Sequence, residues 1–190
     1  MKTIVITPEA QAKGEIETCN LLLQSNIERL HVRKPFASAE SLKDYVEQLD
    51  SRYYSKISLH SHHELVDEME LGGKHFKSNQ EVNAKSLASK SFHSFDEIEN
   101  ESTPLSYGFL SPIFESISKV CYAGEFDQME LKKWLRRFNR FPVYALGGMT
   151  ADKTHVVRDM GFEGMALLGD LWSDSIVSKR IEKVASVLNA

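Results

Sequence analysis

Two hydrophobic patterns alternate along this chain. Short apolar runs of strand length are separated by stretches whose apolar residues recur at helical spacing. Leu42, Tyr45, Val46 and Leu49 give the clearest helical stripe, at i, i+3, i+4 and i+7. Similar stripes are Ile16, Cys19, Leu22 and Leu23; Leu65, Val66 and Met69; Leu131, Trp134, Leu135 and Phe138; and Val156, Val157 and Met160, within 152–160. Val177, Ile181, Val184 and Leu188 give the stripe of a last helix from about Asp174. The runs between them predict strands over Thr3–Ile6, Glu28–Arg33, Lys56–His60, Lys74–Lys77, Ala88–Phe92, Leu105–Leu110, Val143–Leu146 and Gly164–Leu168.

Boundary residues agree with that division. Thr7-Pro8-Glu9 reads as an N-cap, a proline at the first helical position and an acid in the first turn. Ser38 is a second cap, and Ser94 with Glu97 and Asp127 with Glu130 have capping-box spacing. Gly161 stops the helix before it. Eight strands, each followed by a helix or its remnant, predict a parallel closed sheet, a (β/α)8 TIM barrel formed as one domain over residues 1–190. The segment SNQEVNAKSL is too short for a full helix and two loops, so the helix between strands four and five should be abbreviated or missing. The alternative is an open doubly wound sheet, but its Gly-rich fingerprint after strand one is replaced by Thr7-Pro8-Glu9.

Composition removes several function classes. A net charge of -4 gives no electrostatic case for nucleic acid or an anionic membrane surface. There is no long apolar run for a transmembrane helix, and MKTIVITPEA reads as a first strand rather than a signal peptide. With only two cysteines, one of them (Cys19) on an apolar helix face, a reduced cytoplasmic protein is the expectation, with a homo-oligomer open.

In a barrel the chemistry lies at the C-terminal ends of the strands. Those ends carry Thr7; His31 and Arg33; His60, Ser61 and His62; His75 and Lys77; Ser91 and His93; Ser111 and Lys119; Gly147 and Gly148; Gly169 and Asp170. Four histidines from strands two to five, His31, His60, His75 and His93, would face one mouth as acid–base groups. Zinc is the weaker reading, because the run His60-Ser61-His62-His63 lacks helical ligand spacing. Gly147-Gly148 and Gly169 offer backbone N–H groups to an anion. Arg33, the adjacent Lys34, and Lys119 supply cations, the last in a loop with Ser111, Ser116 and Ser118. Together they describe a site for a phosphorylated or pyrophosphorylated small molecule. The long Ser111–Glu125 loop reads as a mobile lid carrying Lys119.

Five motifs in order resemble the thiamine phosphate synthase / thiazole tautomerase superfamily over nearly the whole chain. They are His31-Val32-Arg33-Lys34-Pro35; Lys90-Ser91-Phe92-His93-Ser94 followed by Glu97; Leu110 to Lys119; the turn Ala145 to Met149; and Gly161 to Ala166. The resemblance implies an enzyme that joins hydroxymethylpyrimidine diphosphate to thiazole phosphate with release of pyrophosphate, assisted by Mg²⁺. It implies that Arg33, Ser116, Ser118 and Lys119 bind pyrophosphate, that Ser91 lies near the pyrimidine, and that Gly148, Leu168 and Gly169 hold the thiazole phosphate. At the two positions where the family has metal-binding aspartates this chain has Ser61 and Gln80. A neutral amide binds Mg²⁺ far more weakly than a carboxylate does. The tautomerase branch needs no metal, but the position of its catalytic histidine is Pro112 here, so His31 or His60 would have to move the proton. A silent phosphate-binding regulatory member is the remaining alternative.

Overall fold

The computed structural model describes residues 1–83, 87–114 and 126–190. Its eight strands are β1 (Lys2–Ile6), β2 (Arg29–Val32), β3 (Ile57–Leu59), β4 (Gly73–Phe76), β5 (Ala88–Phe92), β6 (Tyr107–Leu110), β7 (Val143–Ala145) and β8 (Gly164–Leu167). They are parallel and close into a barrel in chain order. Closure is made by β1, where Val5 is registered with Leu30 of β2 on one side and Leu167 of β8 on the other. Eight α-helices accompany the strands among the described residues: α1 (Glu15–Leu23), α2 (Ala39–Glu47), α3 (Glu64–Glu68), α4 (Phe95–Glu99), α5 (Gln128–Arg137), α6 (Thr154–Met160), α7 (Gly169–Ser173) and α8 (Val177–Asn189), with 3-10 turns at Ser51–Lys56 and Ala151–Lys153.

The period-two alternation of each strand divides the core in two. Outward residues such as Val5, Leu30, Val32, Ile57 and Leu59 pack under Leu22, Leu23, Leu42 and Val46 of the helices. Inward residues Ile4, Ile6, Tyr107, Phe109, Tyr144 and Ala166 form a separate cluster inside the barrel. Because strands of such a barrel are covered on both faces, they read as short near-continuous apolar runs.

The expected caps form. Ser38 accepts from the Ser41 N–H at 3.1 Å, and Ser94 from the Glu97 N–H at 3.1 Å. Asp127 accepts from the N–H groups of Met129 and Glu130 at 3.0 and 2.9 Å. Gly161 ends α6 with φ 104, a conformation that favours glycine. Between β4 and β5 no helix occurs among the described residues.

Three local readings are corrected. Thr7 caps no helix: α1 begins only at Glu15, and Thr7 Oγ1 instead accepts from the Arg33 N–H at 2.8 Å, tying the ends of β1 and β2. The last helix begins at Val177 because α7 intervenes and Asp174 is taken up by Arg180 Nε (2.7 Å, to its carbonyl) and Lys183 Nζ (3.1 Å, to its carboxylate). Val156 is exposed, while Val157 and Met160 carry the buried face of α6. No helix among the described residues is long and apolar enough to cross a membrane.

Candidate functional site

The same alternation that sends Leu30 and Val32 outward turns His31 inward, and it does the same for Ser58 and His60 around Leu59. On β4 it brings in His75, and on β5 Ser89 and Ser91. A hydrogen-bonded chain results. His31 Nε2 lies 2.6 Å from Tyr107 Oη, and His31 Nδ1 lies 2.9 Å from His60 Nε2. The ring of His75 is held between Ser89 Oγ and Ser91 Oγ, each at 2.8 Å. Its centroid lies 4.2 Å from that of His60 and 5.1 Å from that of His31.

Burial keeps these rings neutral. Loss of water around the ring is the main cause at each, since a buried imidazolium is disfavoured. At His75 it lowers the pKa to about 3, with help from the charges of His63 and Arg33. At His31 and His60 it depresses the value well below the usual range, His75 adding to it in both cases. A neutral ring has one N–H and one bare nitrogen. The chain Tyr107–His31–His60 therefore has two proton arrangements. If Tyr107 donates inward, His60 Nδ1 carries a hydrogen; if His60 Nε2 donates to His31, His60 Nδ1 is a bare base. His60 Nδ1 has no hydrogen-bond partner among the described residues, and His60 is only partly buried.

Three of the four expected mouth histidines thus converge. His93 does not: it is exposed, and its Nδ1 pairs with the Ser111 carbonyl at 3.0 Å. His62 and His63 turn to the carbonyls of Ala37 and His75, at 2.8 and 3.0 Å. Arg33 is partly buried and forms an ion pair with Glu9 at 2.7 Å. Lys34 is no mouth cation. It is buried outside the barrel, 2.7 Å from Glu15, whose carboxylate also accepts from the Tyr45 hydroxyl at 2.6 Å and the Ala12 N–H at 2.7 Å. Ser116, Ser118, Lys119 and most of the expected lid lie outside the described residues. Tyr107 and Ser89 were not singled out from the sequence. The signal was their place in period-two strands opposite the histidines.

At the far side of the mouth, Gly147 and Gly148 have φ of 92 and 62. Gly147 is fixed by packing, since a Cβ there would lie 2.9 Å from Pro112 Cα. Gly169 has no such constraint among the described residues, where a Cβ would meet nothing within 4 Å. Leu168 and Gly169 open α7, leaving N–H groups at its start. Asp170 does not oppose an anion there as a free charge, because its carboxylate is paired with Lys183 at 3.2 Å.

The family described as thiamine monophosphate synthase matches residues 3–171. The chain belongs to that family. Thiamine phosphate pyrophosphorylase from Bacteroides thetaiotaomicron is similar in structure, with a TM-score of 0.84 and 26% identity over 99% of this chain and 96% of that one. The enzyme of the same name from Pyrococcus furiosus has a TM-score of 0.80 and 18% identity, over 99% and 95% of the two chains. A geranylgeranylglyceryl phosphate synthase from Thermoplasma acidophilum shares the fold at a TM-score of 0.64 and 10% identity, covering 100% and 93%. No curated protein sequence matches.

At the two positions where the resemblance places the Mg²⁺ ligands, the residues present fit that ion poorly. Ser61 Oγ is buried without a hydrogen-bond partner among the described residues, and the exposed Gln80 spends its Oε1 on the Lys77 N–H at 2.7 Å. Neither carries the charge that a hard divalent cation needs from its ligands.

Proposed function

We propose that this chain is a thiamine-biosynthesis enzyme of the thiamine phosphate synthase type, which binds thiazole phosphate beside a pyrophosphate-bearing pyrimidine. The observation that carries this reading is the start of α7 at Gly169, where a Cβ would meet nothing within 4 Å among the described residues, beside the positive-φ turn at Gly148. The N–H groups of Gly148 and Gly169 bind the phosphate of the thiazole. Ser91 Oγ, steadied by His75 Nε2 at 2.8 Å, orients the pyrimidine. Arg33 faces the leaving pyrophosphate, at the cost of its pair with Glu9. In the family Mg²⁺ offsets the leaving-group charge. With Ser61 and Gln80 in the aspartate positions, condensation here is expected to be slower than about 1 per second, an ordinary enzymatic rate.

A second reading has one observation of its own. His60 Nδ1 is backed by a chain that can present it either with or without a proton, which suits a thiazole tautomerase. Both readings share thiazole phosphate, so calorimetric titration with that ligand is the first test. Gly148→Val should abolish binding, and equal binding by wild type and variant would remove the phosphate site. Assays of thiamine phosphate formation and of thiazole isomerisation then separate the two. Ser61→Asp with Gln80→Asp should raise condensation and make it Mg²⁺-dependent. A wild type that already condenses faster than about 1 per second would overturn the metal argument.

A further inference from the structure

Three histidines from three neighbouring strands meet inside this barrel, and the run His60-Ser61-His62-His63 supplies only one of them. His31, His60 and His75 each bring one ring nitrogen into a group whose members all lie within 4.8 Å of one another. We propose that this group is a binding site for a borderline divalent transition ion, Zn²⁺ first, with three imidazole ligands and one position open toward the mouth.

The His31–His60 pair needs little change, and the His75 nitrogen, within 4.8 Å of them, has to close in on the ion. A tetrahedral Zn²⁺ lies about 2.0–2.1 Å from each nitrogen, which places the nitrogens roughly 3.3 Å apart. His31 Nδ1 and His60 Nε2 are already 2.9 Å apart, so an ion replaces the shared hydrogen with a small opening of the pair. The outer nitrogens are placed as metal ligands require. A ligating histidine fixes its ring by donating its other N–H to a neighbour. Coordination through His31 Nδ1 leaves Nε2–H to donate to Tyr107 Oη at 2.6 Å. Coordination through His75 Nε2 leaves Nδ1–H to donate to Ser89 Oγ at 2.8 Å. Ser91 Oγ, freed from Nε2, then stands beside the fourth position, where a water or a ligand oxygen binds. The donor set selects the ion. Three neutral nitrogens and no carboxylate suit Zn²⁺, Co²⁺, Ni²⁺ or Cu²⁺ and disfavour Mg²⁺. The three ligands come from β2 to β4 and include no glycine of β7 or β8, so the ion site and the thiazole phosphate site fail separately, although His60 and His75 also serve the proposed function.

The test is titration of chelator-treated full-length protein with Zn²⁺ by calorimetry and with Co²⁺ by visible absorption. One equivalent should bind with a dissociation constant in the micromolar range or tighter, with the strong absorption of four-coordinate Co²⁺. Zn²⁺ should also raise the melting temperature. His60→Gln and His75→Gln should each weaken binding at least about 100-fold, and Tyr107→Phe about 10–100-fold, the range for loss of a ligand's orienting partner. His93→Gln and His155→Gln should leave affinity unchanged. His31 is fully buried, so the partly exposed His60 is the variant that keeps the test independent of folding. Absence of one-equivalent binding in wild type overturns the proposal, as does undiminished binding in folded His60→Gln and His75→Gln proteins. Thiazole phosphate binding that fails while Zn²⁺ binding holds would count against the proposed function and not against this site.

Discussion

The inside of the barrel has two halves of opposite character. Strands β2 to β5 present His31, Ser58, His60, His75, Ser89 and Ser91, whereas β6 to β8 and β1 present Tyr107, Phe109, Tyr144, Ala166, Ile4 and Ile6. The two halves touch at Tyr107, whose hydroxyl meets His31, and at Phe109, whose ring lies 5.0 Å from both His31 and His75. An apolar half needs only volume and shape to be stable. The polar half must satisfy each buried nitrogen and hydroxyl, since an unpaired one costs free energy. A barrel closed by packing alone has no need of three clustered histidines, two of them buried, so their presence is the part of the interior that calls for a chemical reason.

The largest break in this comparison comes at the seam. Phe109 is fully buried, and Phe109→Ala should cost about 3–5 kcal/mol in chemical denaturation, the range for loss of a buried aromatic ring. Phe109→Leu should cost much less. If Phe109→Ala were neutral, the two halves would not be packed as one core.

Acid should act mainly on the polar half, with a contribution from His63, whose pKa burial also lowers. The folded pKa values of His31, His60 and His75 lie below the ordinary histidine value, so folding excludes their protons. Above about pH 6.5 both states are neutral and the shift contributes nothing. As the pH falls below that value only the unfolded chain takes up protons. Each histidine then removes about 1.4 kcal/mol of stability per pH unit until its folded pKa is reached. For His75 that limit is about 3. In chelator-treated protein, denaturation measured between pH 7.5 and 5.5 should show this slope, and His75→Gln should remove about a quarter to a third of it, His63 supplying part of the rest. A slope unaltered by His75→Gln would mean that the acid sensitivity arises elsewhere.

Most of the architecture was legible before any coordinates, and the reasons lie in particular residues. Ala88–Phe92 is a strand with the expected ends, because a short β-rich run between turn signals has few other uses. Which face each residue takes was harder to read. In Ala-Ser-Lys-Ser-Phe, both serines point to the histidines while Lys90 is buried outside the barrel, 2.6 Å from Glu101. Lys34 misled for the same reason. Its neighbour Arg33 stays near the mouth, but one step along the chain reverses the face, and Glu15 from a different element supplies the partner. Thr7 offered a local capping signal that lost to a contact with β2, 26 residues away in sequence. The glycine turns after β7 and β8 were visible as turns, yet only the coordinates separate Gly147, fixed by Pro112, from Gly169, which has open space beside it.

The smallest expected effect is also the sharpest about where water reaches. His75 holds two hydroxyls at the same distance, 2.8 Å, one on each ring nitrogen. Ser89 is fully buried, and Ser91 two residues later is partly exposed at the mouth. Ser89→Ala leaves His75 Nδ1 in a space with no solvent to replace the lost partner, so it should cost about 1–3 kcal/mol, the penalty for an unsatisfied buried group. At Ser91→Ala a water from the mouth can take the hydroxyl's place, and the loss should stay below about 1 kcal/mol. Denaturation of the two variants side by side measures the difference. Equal losses would place both nitrogens in the same environment, and the polar half would then be a sealed network. A larger loss at Ser89 makes Ser91 the wet end of the chain, where a ligand or the fourth partner of a bound ion enters.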